Sequence, residues 1–358
     1  MRARWLVVLL AAAALVVTPL AVSARPTPRS TVSAATLAER VDRSGSVAWS
    51  GSVVTAGTVG LPDSDSFANL AQLLGQSNQL RVWWRSADDW RVDRIRSTGE
   101  TDLFRRRGVS VRWVFESATA TVAPVSEIRL PDASDLLPPR LGRSMLQGAR
   151  IGELERLPDR RIAGVAAPGL RLRPDETSST IDHVDLWVEE PSGLPLRVEV
   201  FGVGDPRPVL TTTLHDLDLS LPAESTTDFQ APDGVTVNYE DSVDVAASAN
   251  AFAPFDLPAA LGGLTSRSGE DPGAVGIYGR GPTTLIAMPL RGQVLRPLRQ
   301  RLRDSAAAEE TEVGTLAPVG PISLLATSGR GGRGGFLLAG TVNPATLERA
   351  AAELLETP

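Results

Sequence analysis

Apolar and polar residues alternate most clearly at Val109, Val111, Trp113 and Phe115, with Ser110, Arg112, Val114 and Glu116 between them. A period of two places the first set on one face of a β-strand. Val47, Trp49, Gly51 and Val53 alternate in the same way, and Leu80, Val82 and Trp84 share a face of a third strand. After the break "RSADD" the pattern resumes at Trp90 and Val92. Gly108 closes the turn "RRRG" and supplies the positive φ of a tight hairpin. Strands return over Ile181–Leu219, with a turn at "PSGLP".

Helical spacing is confined to short stretches. Thr36 and Glu39 fit a capping box that opens a helix through Val41. Phe67, Leu70, Leu73 and Leu74 form a short amphipathic face, and residues 134–147 read as helix in pieces, interrupted at Pro138 and Pro139. A basic helix near 294–303 carries a stripe of Val294, Leu298 and Leu302. Asn343 and Pro344 open a final helix with an apolar face of Leu347, Ala351, Leu354 and Leu355. The class is therefore mainly β with short helices, followed by a small α+β domain.

Residues 1–24 have a basic start, an apolar run from Trp5 to Val22 and small residues at Val22 and Ala24, the pattern of a secretory signal. The run is also long enough for an uncleaved anchor. Either way the chain is expected to be exported, periplasmic or in the cell envelope. Residues 25–31 read as a linker, 32–242 as one domain, 243–272 as a second linker rich in Ala, Ser, Pro and Gly, and 273–358 as a smaller domain. Charge supports the division. Residues 25–249 carry 24 Arg against 32 acids, whereas residues 250–358 carry 10 of each.

There is no cysteine, which excludes disulfides, thiol catalysis and thiolate metal sites. All 36 basic residues are arginine. No net basic excess points to nucleic acid. The formal Gly-x-Gly-x-x-Gly at Gly329, Gly331 and Gly334 precedes a strand, "FLLAGTV", whereas a dinucleotide site needs a helix there. His183 and His215 lie near aspartates but lack a third strong ligand. Nothing frames a catalytic nucleophile, so no enzyme, cofactor or metal is expected. Arg296, Arg299 and Arg303 are candidates for meeting an acidic partner or acidic lipid, against the plain reading of a solvated helix face.

Five of the seven tryptophans fall between Trp49 and Trp113. They suit an ordinary β core. They equally suit the apolar wall of an acyl-chain cavity, which needs large side chains without polar atoms.

The succession "RVWW", "DDWRV", "ETDLF", "GVSVRWVFESATATV", "LWVEEPSGLPLRVEVF" and "FQAPDGVTV" resembles the LolA/RseB (MucB)-like superfamily of extracytoplasmic lipid- and lipoprotein-binding proteins, over residues 32–240. The resemblance implies a half-open antiparallel β-barrel with a helical lid. It implies that Trp84, Trp90, Trp113 and Phe115 line the cavity, beside Trp49, Val82 and Val111, and that Phe67, Leu70 and Leu74 belong to the lid. In the carriers an arginine, followed by proline, ends the first tryptophan strand and latches the lid; here the stretch reads Arg85-Ser86-Ala87. The two-domain plan resembles the RseB branch. It implies a lipid or acylated ligand and a membrane-bound, anti-sigma type partner. The LolA branch implies a carrier that delivers to a transporter. A structural envelope protein whose tryptophans are only core remains the third reading.

Overall fold

The computed structural model describes residues 29–61, 68–125, 129–239, 257–267, 275–305, 307–328 and 334–356. The leader 1–24 and the glycine run 329–333 lie outside them. No helix among the described residues is long and apolar enough to cross a membrane.

The first unit is built on one sheet of twelve strands. Its strands are β1 (Trp49–Gly57), β2 (Ser77–Ser86), β3 (Asp89–Arg96), β4 (Gly99–Arg106), β5 (Val109–Val114), β6 (Thr119–Pro124), β7 (Leu154–Ile162), β8 (Val165–Leu172), β9 (Ile181–Glu189), β10 (Leu194–Gly202), β11 (Leu210–Leu214) and β12 (Thr236–Tyr239). They run in the order β12-β6-β5-β4-β3-β2-β1-β11-β10-β9-β8-β7. All neighbours are antiparallel except β12, which lies parallel to β6. Strands β7 and β8 were not among the sequence expectations. In β7 the apolar residues are interrupted by Arg156, Pro158, Arg160 and Arg161, and in β8 Pro168 and Gly169 break a near-continuous apolar run, so no clean alternation marks either strand.

The helices are α1 (Ala34–Arg43), α2 (Ala68–Gly75), α3 (Pro138–Leu146) and the single turn α4 (Glu224–Thr227). Ser33, not Thr36, caps α1: its hydroxyl accepts a bond from the Thr36 backbone N–H at 3.1 Å. The prolines at 138 and 139 begin α3 rather than interrupt it, because the first helical positions need no N–H donor. A 3-10 turn (Ala133–Leu136) precedes it.

Helix α1 touches β7, β8 and β10, α3 touches β10 and β11, and the 3-10 turn touches β3. One small helical block thus meets both ends of an eight-strand span, β3 to β7. Laid flat, that span would be ~34 Å wide, whereas two helices side by side cover ~20 Å. The sheet must curve round the block. Leu37 and Val41 of α1 and Leu137, Leu141 and Leu146 beside them pack into one core with Val53, Leu170, Leu186, Val198 and Leu214 from the concave face. Gly142 permits the approach of α3, since a Cβ there would lie 2.9 Å from Pro195 and 3.0 Å from Leu186.

The second unit has six antiparallel strands: β15 (Gly276–Arg280), β16 (Thr283–Leu290), β17 (Glu309–Glu310), β18 (Gly314–Val319), β19 (Ile322–Thr327) and β20 (Gly335–Gly340). Leu285, Leu316, Leu325 and Leu338 pack on α6 (Pro344–Glu356), whereas Ala317 and Ala326 pack on α5 (Gly292–Arg303). Burial on both faces follows from having a helix on each. In α5 the buried stripe is Leu295 and Leu302 with Leu298, and Val294 is half exposed. The expected stripe was thus off by one at Val294. Residues 257–267, within the stretch read as linker, form a small hairpin, β13 (Ala260–Leu261) with β14 (Leu264–Thr265). They bring Leu257, Leu261 and Leu264 into the second core.

The two units are joined chiefly by Arg280. Its guanidinium meets Glu153 at 2.7 Å, Asp175 at 2.7 Å and Glu176, and donates to the Gly148 carbonyl at 2.9 Å. Backbone bonds from Thr180 to Thr341 and from Asn343 to Ser178 add a second seam.

Two predictions follow from these junctions. In the two-residue turn, Arg107 as well as Gly108 has positive φ (51° and 77°), which a long side chain adopts at a cost. Arg107→Asn should therefore raise stability by about 1 kcal/mol, read from denaturant unfolding. At the junction, burial alone would raise the Glu153 carboxyl, but bonds from Arg280 and from the backbone N–H groups of Arg150 and Asp175 pull it down to about 2. A depressed acid stabilises the folded state above its ordinary value of 4.5, and that stabilisation is lost as pH falls toward about 2. Arg280→Ala leaves three carboxylates facing one another. Calorimetry at neutral pH should then show two separated unfolding transitions, as the wild type should on acidification.

Candidate functional site

Register decides which expected wall residues share a face. Trp49 pairs with Trp84, and Trp84 with Trp90; one step along, Val82 pairs with Val92. All of these point to the concave side and are buried in the main core. Trp84 and Trp90 stack with centroids 5.7 Å apart, and Arg140 of α3 lies over the Trp84 ring. Four of the expected residues, Trp49, Val82, Trp84 and Trp90, thus form one apolar surface under the helices.

Val111, Trp113 and Phe115 are elsewhere. Trp113 pairs with Asp102, which pairs with Asp93, which pairs with Arg81. That parity is opposite to Trp84. Trp113 and Val111 therefore lie on the convex face, where Trp113 and Phe104 pack against Phe229 and Val235. Phe115 is 67% exposed at the end of β5. The single wall of seven is corrected to a wall of four, because the two-residue loop after Arg106 sets which β5 residues face inward. The residues that do face inward from β4 and β5 are Thr101, Leu103, Arg105, Ser110, Arg112 and Val114.

Helix α2 lies on β1. Leu73 is fully buried, Leu70 and Leu74 are half-buried, and Phe67 lies outside the described residues. The buried Asn78 holds the end of the helix, donating to the Leu73 carbonyl (3.1 Å) and Thr55 Oγ1 (3.0 Å). Arg85 does not reach it. That side chain pairs with Asp89 at 2.9 Å and donates to the Pro222 carbonyl. The cation on α2 is Arg94, which donates to Asn69 Oδ1 (2.9 Å) and Gln72 Oε1 (3.2 Å). Its trace in the sequence is "WRVDRIR": on the Trp90–Val92 face the alternation is broken by Arg94 and Arg96.

The convex face of β2–β4 is charged. Arg91 binds Asp93 at 2.6 Å and Asp102 at 2.9 Å, and Arg81 binds Asp93 at 3.4 Å and Glu100. Arg91 also lies over the Trp83 and Phe104 rings. Asp93, Glu100 and Asp102 are close enough to share one ion, but the two arginines already fill that role. Burial, with the charge of Asp93 opposite, pushes Asp102 up to about 7. His183 stacks on Phe201 and pairs with Asp182, while His215 is exposed. In the second unit, Arg299 and Arg303 both bind Glu310, at 3.6 and 2.7 Å. Of the three arginines proposed for a partner, Arg296 alone is exposed without an ion pair among the described residues.

The first unit is thus an antiparallel sheet, open at its edges and closed over short helices, and a smaller α+β unit follows it. The chain is similar to several solved structures. The Pseudomonas aeruginosa MucA/MucB complex matches at 16% identity over 89% of this chain and 96% of the other, with a TM-score of 0.49. A LolA superfamily protein from Nitrosomonas europaea matches at 14% over 56% of this chain and 99% of its own, with a TM-score of 0.25. LprF from Mycobacterium bovis matches at 11% over 54% and 98%, with a TM-score of 0.30. No family model and no curated protein matches the chain.

The raised Asp102 predicts a pH dependence. An acid raised in the folded state favours folding below its ordinary value of 3.8 and withdraws that support as pH rises through about 7. Asp102→Asn should flatten the fall in melting temperature across that range, read by thermal unfolding at a series of pH values.

Proposed function

We propose that this chain is an exported, non-enzymatic binder of acyl groups of the LolA/RseB-like kind, acting as an envelope sensor on a membrane-bound regulator. The observation that carries the reading is the concave surface of Trp49, Val82, Trp84 and Trp90, covered by short helices. Helix α2 in particular is eight residues long and buries one leucine fully. Such a helix is separable from its sheet at small cost, whereas the tryptophan surface, which continues along the same sheet face under α3 and the 3-10 turn, is apolar over several strands. Each methylene moved from water onto it contributes about 0.8 kcal/mol, so a dozen carbons suffice without a charged contact. The second unit favours sensing over carriage, since the LolA-like carriers are single-domain and the Arg280 junction gives an event at the sheet a route to the second unit.

Full-length protein prepared without detergent washing is expected to carry acyl species in native mass spectrometry, and to shift its tryptophan emission when titrated with dodecanol. Absence of both would leave the tryptophans as core and sink the reading. Sensing additionally requires that the full chain retain a membrane-bound regulator from an envelope extract, and that acyl loading change the amount retained.

A further inference from the structure

Most arginines of this protein for which a contact is recorded are bound to carboxylates. Three on the concave face are not. Arg94 and Arg96 alternate along β3 and so share a face. Arg112 of β5 pairs with Leu103, which pairs with Val92, and so shares that same face. None of the three has a carboxylate within ion-pair distance among the described residues. The neighbouring acids are turned away: Asp93, Glu100 and Asp102 serve Arg81 and Arg91 on the convex side, and Glu116 accepts from the Glu100 backbone N–H at 2.7 Å.

Arg94 is 5% exposed. A buried guanidinium with no counter-charge is costly. Among the described residues its only acceptors are the neutral amide oxygens of Asn69 and Gln72, and its Nε–H has none. Arg96 shares the Gln72 oxygen at 3.1 Å. Burial, with repulsion from Arg96 and Arg112, lowers Arg94 to about 10, as expected of a cation lacking its anion. Both amides belong to α2. From Arg94 the same strand face continues through Val92 to Trp90, four residues or ~13 Å along the strand, with the half-buried Leu103 beside it.

We propose that Arg94, Arg96 and Arg112 bind the anionic group, carboxylate or phosphate, of an amphiphile whose chain lies on the tryptophan face, and that Asn69 and Gln72 hold the place of that anion until it arrives. The chain-binding half of this rests on the acyl reading above. An anion makes shorter and stronger bonds to guanidinium than an amide does. Its arrival therefore frees Asn69 and Gln72, and with them α2, from the sheet. Headgroup recognition and opening of the cover become one event.

The test is titration of the full chain with dodecyl phosphate, dodecanol and inorganic phosphate, followed by calorimetry and tryptophan emission. Dodecyl phosphate should bind about tenfold or more tighter than dodecanol. Arg94→Gln should abolish that preference. Because Arg94 is buried, two further variants guard against misfolding. Arg112→Gln, at an exposed position, should reduce the preference, and Gln72→Glu should raise the melting temperature while abolishing it, by supplying the missing anion from within. Equal binding of the two amphiphiles, or a preference unchanged in Arg112→Gln and Gln72→Glu, overturns the anion site and leaves the acyl reading standing. Arginine-dependent binding of inorganic phosphate, with neither amphiphile bound, upholds the anion site and overturns the acyl reading. Binding of none of the three overturns both.

Discussion

The structure depends on how a twelve-stranded sheet disposes of one face. Every strand presents alternate residues to the concave side, and from β3 round to β7 those residues are mostly large and apolar. Among the described residues, three short helices and a 3-10 turn cover them. The sheet therefore wraps, and α3 approaches so closely that a Cβ at position 142 would displace the Pro195 or Leu186 side chain. Beyond β3 the cover runs out, and the concave face becomes mixed: Thr101, Arg105, Ser110 and Arg112 stand among Leu103 and Val114. The candidate site lies at this boundary, where an apolar surface held by packing gives way to a surface able to meet water or an anion.

Charge is the second organising element. The protein has no lysine, and arginine's planar fork suits paired and bidentate contacts. Arg280 binds three carboxylates and joins the two units; Arg91 and Arg81 neutralise a buried acidic pair; Arg299 and Arg303 are taken up by Glu310. Against that background an arginine held by two amides is conspicuous. Its position under α2 links the chemistry of the concave face to the helix most easily separated from it.

Much of this was legible beforehand. Alternation at Trp49–Val53, Leu80–Trp84 and Val109–Trp113 marked real strands, and Asn343 does cap the last helix, accepting from the Thr346 N–H at 3.0 Å. Mainly β architecture with short helices, and a smaller α+β unit after it, followed from periodicity and charge balance. Local chemistry also made the turn at Gly108 readable. The cap of α1 and the stripe of α5 were each misplaced because neighbouring positions offered nearly equivalent patterns.

Periodicity states which residues of one strand share a face, and by itself it determined that Trp84 goes with Val82, and Trp113 with Val111. It carries no information about which face of one strand continues which face of the next. That is decided by loop length and pairing register, and a single residue reverses it. Only the folded sheet separated Trp113 from Trp84, turned Arg85 away from α2 and placed Arg94 beneath it. The same reason applies to Arg280, whose three carboxylates lie more than a hundred residues earlier in the chain: sequence supplied the charges, and only the docking of two units brought them together.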